Sequence, residues 1–292
     1  MSNASDQLIH TTVRIECCKA DGTQIAGTGF VFNFCQRDEG SVPAIVTNRH
    51  VVEGAETGVF HMTLRGDDGG PRLGEYVEVP LEGIKTAWIG HPSTAIDLAA
   101  IPLAPVINWL HEDGKKAYYI GLHREFLADA EFMAELTAVE DVLMIGYPNG
   151  LWDSQHNLPI VRRGITATPP YVDFNGKPEF MIDCACFPGS SGSPVVLYNM
   201  GGHTKKSGAV VLGSGRVKLL GVLWGGPKHT ARGDIEIVPV PSAVQPIALS
   251  PIPINLGYCV KADQLLAFEE YFEALISEEA KTQIGEEAEP AA

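Results

Sequence analysis

A serine set among small residues is the first feature of this sequence able to do chemistry. In Asp183-Cys184-Ala185-Cys186-Phe187-Pro188-Gly189-Ser190-Ser191-Gly192-Ser193-Pro194, glycines and serines crowd around Ser191. A nucleophilic serine needs its Oγ free of neighbours. It also needs backbone N–H groups turned toward the place where a carbonyl oxygen becomes an oxyanion. Gly189 can take the dihedral that turns such an N–H inward, and Gly192 relieves crowding behind the hydroxyl. Taken alone, the stretch also reads as a flexible loop. A serine nucleophile needs a base, and the base an orienting carboxylate. Eight of the nine histidines lie in polar, loop-like settings without an obvious pairing. His50 instead follows the apolar run Ala44-Ile45-Val46-Thr47, at the turn Asn48-Arg49-His50-Val51-Val52. The carboxylate candidate is Asp97, which opens the apolar stretch Asp97-Leu98-Ala99-Ala100-Ile101 and is costly to bury unless paired. Each also has a bland reading, a structural histidine at a strand end and a strand-initiating turn aspartate.

The elements that must position these residues are mostly short strands. Gly (31) and Pro (20) punctuate the chain between short apolar runs. Strands are expected at Thr12–Cys17, Gly29–Phe34, Ala44–Thr47, Val59–Leu64, Tyr76–Pro80, Ile84–Ile89 and Leu98–Leu103, then at Asp141–Gly146, Ile160–Ile165, Glu179–Cys184, Pro194–Val196, Ala209–Leu212, Leu219–Trp224 and Gly257–Val260. Between the two series, Val106–Leu136 reads as one or two short helices. Pro-rich Val238–Pro253 reads as a loop or edge excursion, because proline cannot donate to a ladder. Leu265, Leu266, Phe268, Tyr271, Phe272, Leu275 and Ile276 recur at helical spacing, which predicts an amphipathic C-terminal helix. The pattern predicts an all-β fold of two barrels side by side. An N-terminal barrel (8–118) carries His50 and Asp97. A helical linker (119–136) leads to a C-terminal barrel (137–260) carrying Ser191, then a helix (261–278) and an acidic disordered tail (279–292).

Composition narrows the function classes. The 292 residues carry 21 Lys plus Arg against 36 Asp plus Glu, a formal charge of −15 that disfavours nucleic-acid and anionic-membrane binding. No run approaches 18 uninterrupted apolar residues, and residues 1–8 show no apolar signal core, so neither a membrane span nor secretion is expected. Six cysteines are too few for a disulfide framework and show no zinc-ligand spacing. They read as free, packed thiols in a reducing compartment, with cytoplasm as the default location. No Walker loop or H-E-x-x-H occurs, so no cofactor or metal is expected.

Four segments in order resemble the chymotrypsin-like (trypsin-fold) serine peptidases, most closely the bacterial branch that includes HtrA/DegP-type protease domains. They are Gly27-Thr28-Gly29-Phe30-Val31, Thr47-Asn48-Arg49-His50-Val51, Asp97-Leu98-Ala99 and Gly189-Ser190-Ser191-Gly192-Ser193-Pro194, with spacings of 47 and 94 residues between His50, Asp97 and Ser191. Ile145–Leu151 and Arg163-Gly164-Ile165 add a likeness to the opening of the second barrel. The resemblance runs from about Val13 to about Leu266 and implies two antiparallel six-stranded barrels and serine endopeptidase activity on polypeptides. Ser191 is then the nucleophile, His50 the general base and acid, and Asp97 its orienting partner. The N–H groups of Gly189 and Ser191 form the oxyanion hole. Leu223-Trp224-Gly225 is the strand that pairs with substrate backbone, facing Ala185-Cys186-Phe187-Pro188 across the specificity slot. The residue six before the nucleophile, Ala185, is uncharged, which implies a non-basic, apolar residue before the scissile bond. Ser190 stands where zymogen-type relatives carry an acidic residue, so activation by a new N-terminus is not expected. Leu223 stands where a hydroxyl residue helps hold the triad carboxylate. Too few residues follow the second barrel for a PDZ domain. Two other readings remain: a catalytically silent peptide-binding module on the same fold, and an α/β-hydrolase esterase, which the His-Asp-Ser order and Ser193 in place of glycine disfavour.

Overall fold

A computed structural model of the chain describes residues 3–38, 40–81, 88–230 and 251–277. The apolar run Gly29–Phe34 forms the spine of the first half. It lies in β2 (Gln24–Arg37), where Phe30, Phe32 and Phe34 point to one side and Val31 to the other, and all four are fully buried. Burying each such side chain contributes roughly 1.5–3 kcal/mol. Strands β1 (Thr12–Lys19), β3 (Gly40–Thr47), β4 (Ala55–Arg65), β5 (Pro71–Pro80), β6 (Ile89–Gly90), β7 (Ala99–Pro102) and β8 (Leu122–His123) complete the sheet in the order β5-β4-β1-β2-β3-β7-β6, with β8 paired to β2.

The second half is a closed barrel of six strands: β9 (Asp141–Gly146), β10 (Ile160–Thr166), β11 (Glu179–Asp183), β12 (Pro194–Asn199), β15 (Arg216–Gly225) and β18 (Leu256–Lys261). Two ribbons stand off it, β13 (Gly202–Thr204) with β14 (Val210–Leu212), and β16 (Lys228–Thr230) with β17 (Pro251–Pro253). One of the two expected antiparallel barrels is thus closed; in the first half no ladder joins β5 to β6 among the described residues. The pairing of β2 with β1 ends at Phe30, and the edge left free at Phe32-Asn33 is taken by β8, which runs parallel.

Of the one or two short helices expected within Val106–Leu136, one is Ala104–Glu112 and the other lies in the inter-barrel segment. Residues 119–136 hold β8, a 3₁₀ turn (Arg124–Phe126) and a short helix (Ala130–Glu135) capped by the Asp129 carboxylate on the Phe132 N–H at 2.7 Å. The C-terminal amphipathic segment begins as a 3₁₀ helix, Ala262–Phe268, and becomes α-helical only over 269–277. Its Phe268 and Phe272 pack on Phe34 with ring centroids 6.0 and 4.9 Å away, and join a core that also holds Ile145, Val222 and Val260. The expected strand residues 84–87, the loop residues 238–250 and the tail 279–292 lie outside the described residues. Pro251–Pro253, expected within that loop, is β17. Among the described residues no helix is long and apolar enough to cross a membrane.

Candidate active site

His50 sits in a four-residue helical turn, Arg49–Val52, that begins where β3 ends. The first N–H groups of a helix lack intrahelical acceptors. Here the His50 N–H donates to Asp97 Oδ1 at 3.1 Å, while the other carboxylate oxygen lies 2.5 Å from His50 Nδ1. Asp97 therefore caps the turn and orients the imidazole with one group. The Asn48 amide donates to the Asp97 carbonyl at 2.7 Å and fixes the aspartate's backbone as well. Arg49 reaches the opposite way. Its guanidinium donates to the carbonyls of His91 at 2.9 Å and of Ser93 and Thr94 at 3.4 Å, gripping the loop that leads into Asp97. The turn packs closely on β2 because Gly27 has no side chain: a Cβ there would meet Val51.

Ser191 is held differently. The turn that carries it is bound by main-chain groups. Ser190 N–H donates to Phe187 O at 3.0 Å, Ser193 N–H to Ser190 O at 3.0 Å, and Gly192 N–H to Leu223 O at 2.8 Å. Gly189 and Gly192 have φ of +86° and +88°, where a side chain is strained, and a Cβ on Gly192 would run into the Thr28 carbonyl. Among the described residues, the N–H groups of Gly189 and Ser191 donate to no acceptor. Of the three serines in the turn, Ser190 and Ser193 have buried hydroxyls and Ser191 alone faces the cleft.

That cleft, about 490 Å³, brings together His50, Ser191 and Gly189 with Cys186, Phe187, Pro188, Leu223, Trp224 and Gly225. Asp97 stands behind His50, with its side chain 27% exposed. Ser191 Oγ donates to the Trp224 carbonyl at 3.5 Å, and no hydrogen bond joins it to His50. Ala185, expected at the slot, is not among the residues lining the cleft. Leu256 and Tyr258 of β18 line it instead, and Tyr258 stacks on Trp224 at 5.6 Å. The resemblance placed Ala185 there by its position six before Ser191; β18 lies some 65 residues beyond Ser191 and reaches the cleft through barrel closure. Both main-chain groups of Leu223 are already engaged, the carbonyl by Gly192 and the N–H by Ser193 O at 2.9 Å. The backbone open to a substrate therefore starts at Trp224. Gly257 leaves the room that Leu223 and the Cys186 thiol fill. Burial pushes that thiol up to about 12, so it is an uncharged wall. None of the six cysteines is in a disulfide.

With the geometry described, three kinds of comparison bear on the chain. No curated protein matches it. Among solved structures it is similar to the HtrA-type protease AlgW with tripeptide (16% identity, TM-score 0.48, 92% of this chain and 63% of that one). It is also similar to a serine endoprotease from Yersinia pestis (15%, 0.46, 92% and 64%) and to the active form of the Rv3671c protease from M. tuberculosis (16%, 0.43, 89% and 80%). The chain thus spans less than two thirds of the first two. The model of the trypsin-like peptidase domain matches residues 27–202, which include His50, Asp97 and Ser191. A match over more than half of the sequence identifies the chain as a member of the trypsin-like peptidase domain family.

Proposed function

We propose that the chain is a serine endopeptidase that cleaves polypeptides through an acyl-enzyme, with His50, Asp97 and Ser191 as its triad. The observation that carries this reading is the two-point hold of Asp97 on His50, opposite the one serine of its turn that faces the same cleft. Asp97 Oδ2 accepts the Nδ1 proton, which leaves Nε2 as the base. On this reading the Ser191 hydroxyl leaves its resting bond to Trp224 O and turns toward His50. His50 then removes its proton as Oγ attacks the scissile carbonyl. The oxyanion is met by the unengaged N–H groups of Gly189 and Ser191. His50 returns the proton to the leaving amine, and water, activated by the same imidazole, releases the acyl group.

The slot walls argue for a small or medium apolar residue before the scissile bond. Cys186, Phe187, Leu223, Trp224 and Tyr258 carry no charge, and an unpaired ammonium or guanidinium there would be buried at a cost of several kcal/mol, on the order of the penalty for any unpaired charge. Free thiols fit a reducing compartment such as the cytoplasm. Treatment with a fluorophosphonate probe tests the chemistry: labelling is expected on Ser191 and is lost in Ser191→Ala. The resting bond of Ser191 to Trp224 favours a second reading, a silent peptide-binding module, and absence of labelling in the wild-type protein would select it. Cleavage-site profiling on a proteome-derived peptide library tests the slot, and dominant cleavage after Arg or Lys would overturn it.

A further inference from the structure

The two peptide groups that flank Gly189 are both held from outside their own turn. The Pro188 carbonyl accepts the Asn149 N–H at 2.5 Å, and the Gly189 carbonyl accepts the Thr28 hydroxyl at 2.9 Å. In a trans peptide C=O and N–H point in opposite directions. Holding the Pro188 carbonyl on Asn149 therefore aims the Gly189 N–H away from Asn149, and holding the Gly189 carbonyl stops that unit from turning over about its other end.

Thr28 does more than donate once. Its N–H donates to the Ser191 carbonyl at 2.8 Å, so one residue grips the turn on both sides of Ser190. Its hydroxyl oxygen accepts the Tyr147 N–H at 3.1 Å, which leaves the single hydroxyl proton for Gly189. Its carbonyl accepts the Thr47 hydroxyl at 2.7 Å, three residues before His50. The side chain is fully buried, so no water competes for these bonds.

We infer that Thr28, contributed by the N-terminal sheet, is a positioning residue that sets the orientation of the Gly189 N–H and so the readiness of the oxyanion hole. The inference rests on the peptidase reading above. It makes the hole a joint product of the two halves: the donors belong to the barrel, and the grip is shared between Asn149 and Thr28 of β2. Thr28 touches neither substrate nor reacting atoms.

The test compares Thr28→Val, which keeps the branched shape and removes the hydroxyl, with Thr28→Ser, which keeps the hydroxyl. Loss of an oxyanion donor lowers kcat about 10²–10³-fold, and misaiming one should cost up to about 10²-fold. The expected result is a kcat lowered by about 10–10²-fold in Thr28→Val with KM within about threefold. Affinity for a peptide boronate, whose tetrahedral adduct places an oxygen in the hole, should fall in parallel, and Thr28→Ser should restore both. Unchanged kcat and boronate affinity in a folded Thr28→Val would overturn the inference, as would equal losses in the Val and Ser variants. Hydrogen exchange over residues 187–192, followed by mass spectrometry, reads the grip without catalysis. Faster exchange there in Thr28→Val, with the rest of the barrel unchanged, supports the inference, and unaltered exchange refutes it. Failure of Ser191 labelling in the wild-type protein would refute the peptidase reading instead. Should Thr28→Val not fold, the smaller Thr28→Ala carries the same measurements.

Discussion

The two sides of the candidate active-site cleft are built by different means. On the His50 side, side chains make the decisive bonds: Asp97 to the imidazole and the His50 N–H, Asn48 to the Asp97 carbonyl, Arg49 to the loop at His91–Thr94. On the Ser191 side the main chain makes almost all of them, and two glycines at positive φ shape the turn. A side chain can be truncated without altering the course of the chain, whereas backbone bonds are lost only when dihedrals change. The His50 side should therefore respond to substitution with lost alignment in a folded protein. The Ser191 side should tolerate conservative changes of hydroxyl groups and fail when a glycine acquires a Cβ.

Five experiments would break or sharpen that contrast. The largest effect is expected from removing chemistry altogether. Ser191→Ala should lower kcat on the order of 10⁴–10⁶-fold with an unchanged Tm, while Ser190→Ala, which removes a buried hydroxyl with no partner, should stay active. A silent Ser190 variant beside an active Ser191 variant would shift the assigned nucleophile by one residue. Next, Asp97→Asn should cost about 10⁴-fold in kcat, because the amide presents N–H groups to His50 Nδ1 and favours the wrong tautomer. Circular dichroism should show an intact fold, and a loss of less than about tenfold would remove Asp97 from the triad.

Gly192→Ala is the corresponding probe of the backbone-held side. Strain at φ +88° costs roughly 1–3 kcal/mol, and the clash with the Thr28 carbonyl adds to it. A lowered Tm together with lost activity is expected, and a stable, active variant would refute the contrast. By comparison, Arg49→Met should leave Tm nearly unchanged and lower kcat by about tenfold, less than the 10²-fold that follows a 1 Å misplacement.

The smallest effect concerns protons. Burial raises the Cys17 thiol to about 11 and the Cys186 thiol to about 12 from an ordinary value of 9.0. The folded protein keeps these protons where the unfolded chain has released them. Their contribution to stability is thus complete below pH 9 and is lost as pH rises toward 11–12. Chemical denaturation at pH 7 and pH 10 should show this decline, and alkylation of the native protein at pH 8 should spare both residues. Rapid modification of Cys186 would mean that its wall of the slot opens.

What was legible in the sequence follows the range of the interactions. Ser191, His50 and Asp97 stood out because each sits in a local pattern, a small-residue turn or an apolar run that ends in a polar group. The barrel strands were legible for the same reason, since alternation and punctuation act over a few residues. The parallel pairing of β8 with β2 was not, because a two-residue strand leaves no periodicity. The grip of Thr28 on Gly189 spans 161 residues, and a buried threonine within an apolar strand looks like any β-branched strand residue. Leu256 and Tyr258 were not legible as walls of the slot, because they reach it only through closure of the barrel. The early 3₁₀ character of Ala262–Phe268 was hidden because apolar residues spaced three or four apart suit either helix type.

The docking of Phe268 and Phe272 on Phe34 also has a temporal meaning. During synthesis β2 emerges more than 200 residues before the aromatic rings that cover it, and β18, which closes the barrel, precedes those rings by only a few residues. The nascent chain therefore carries its histidine and serine long before either is locked in place. Such distant pairings make folding slow, on the order of milliseconds to seconds once the chain is available. Until β18 and the aromatic segment arrive, the cleft lacks two of its walls, Leu256 and Tyr258. On the proposed peptidase reading, cleavage therefore awaits the emergence of β18.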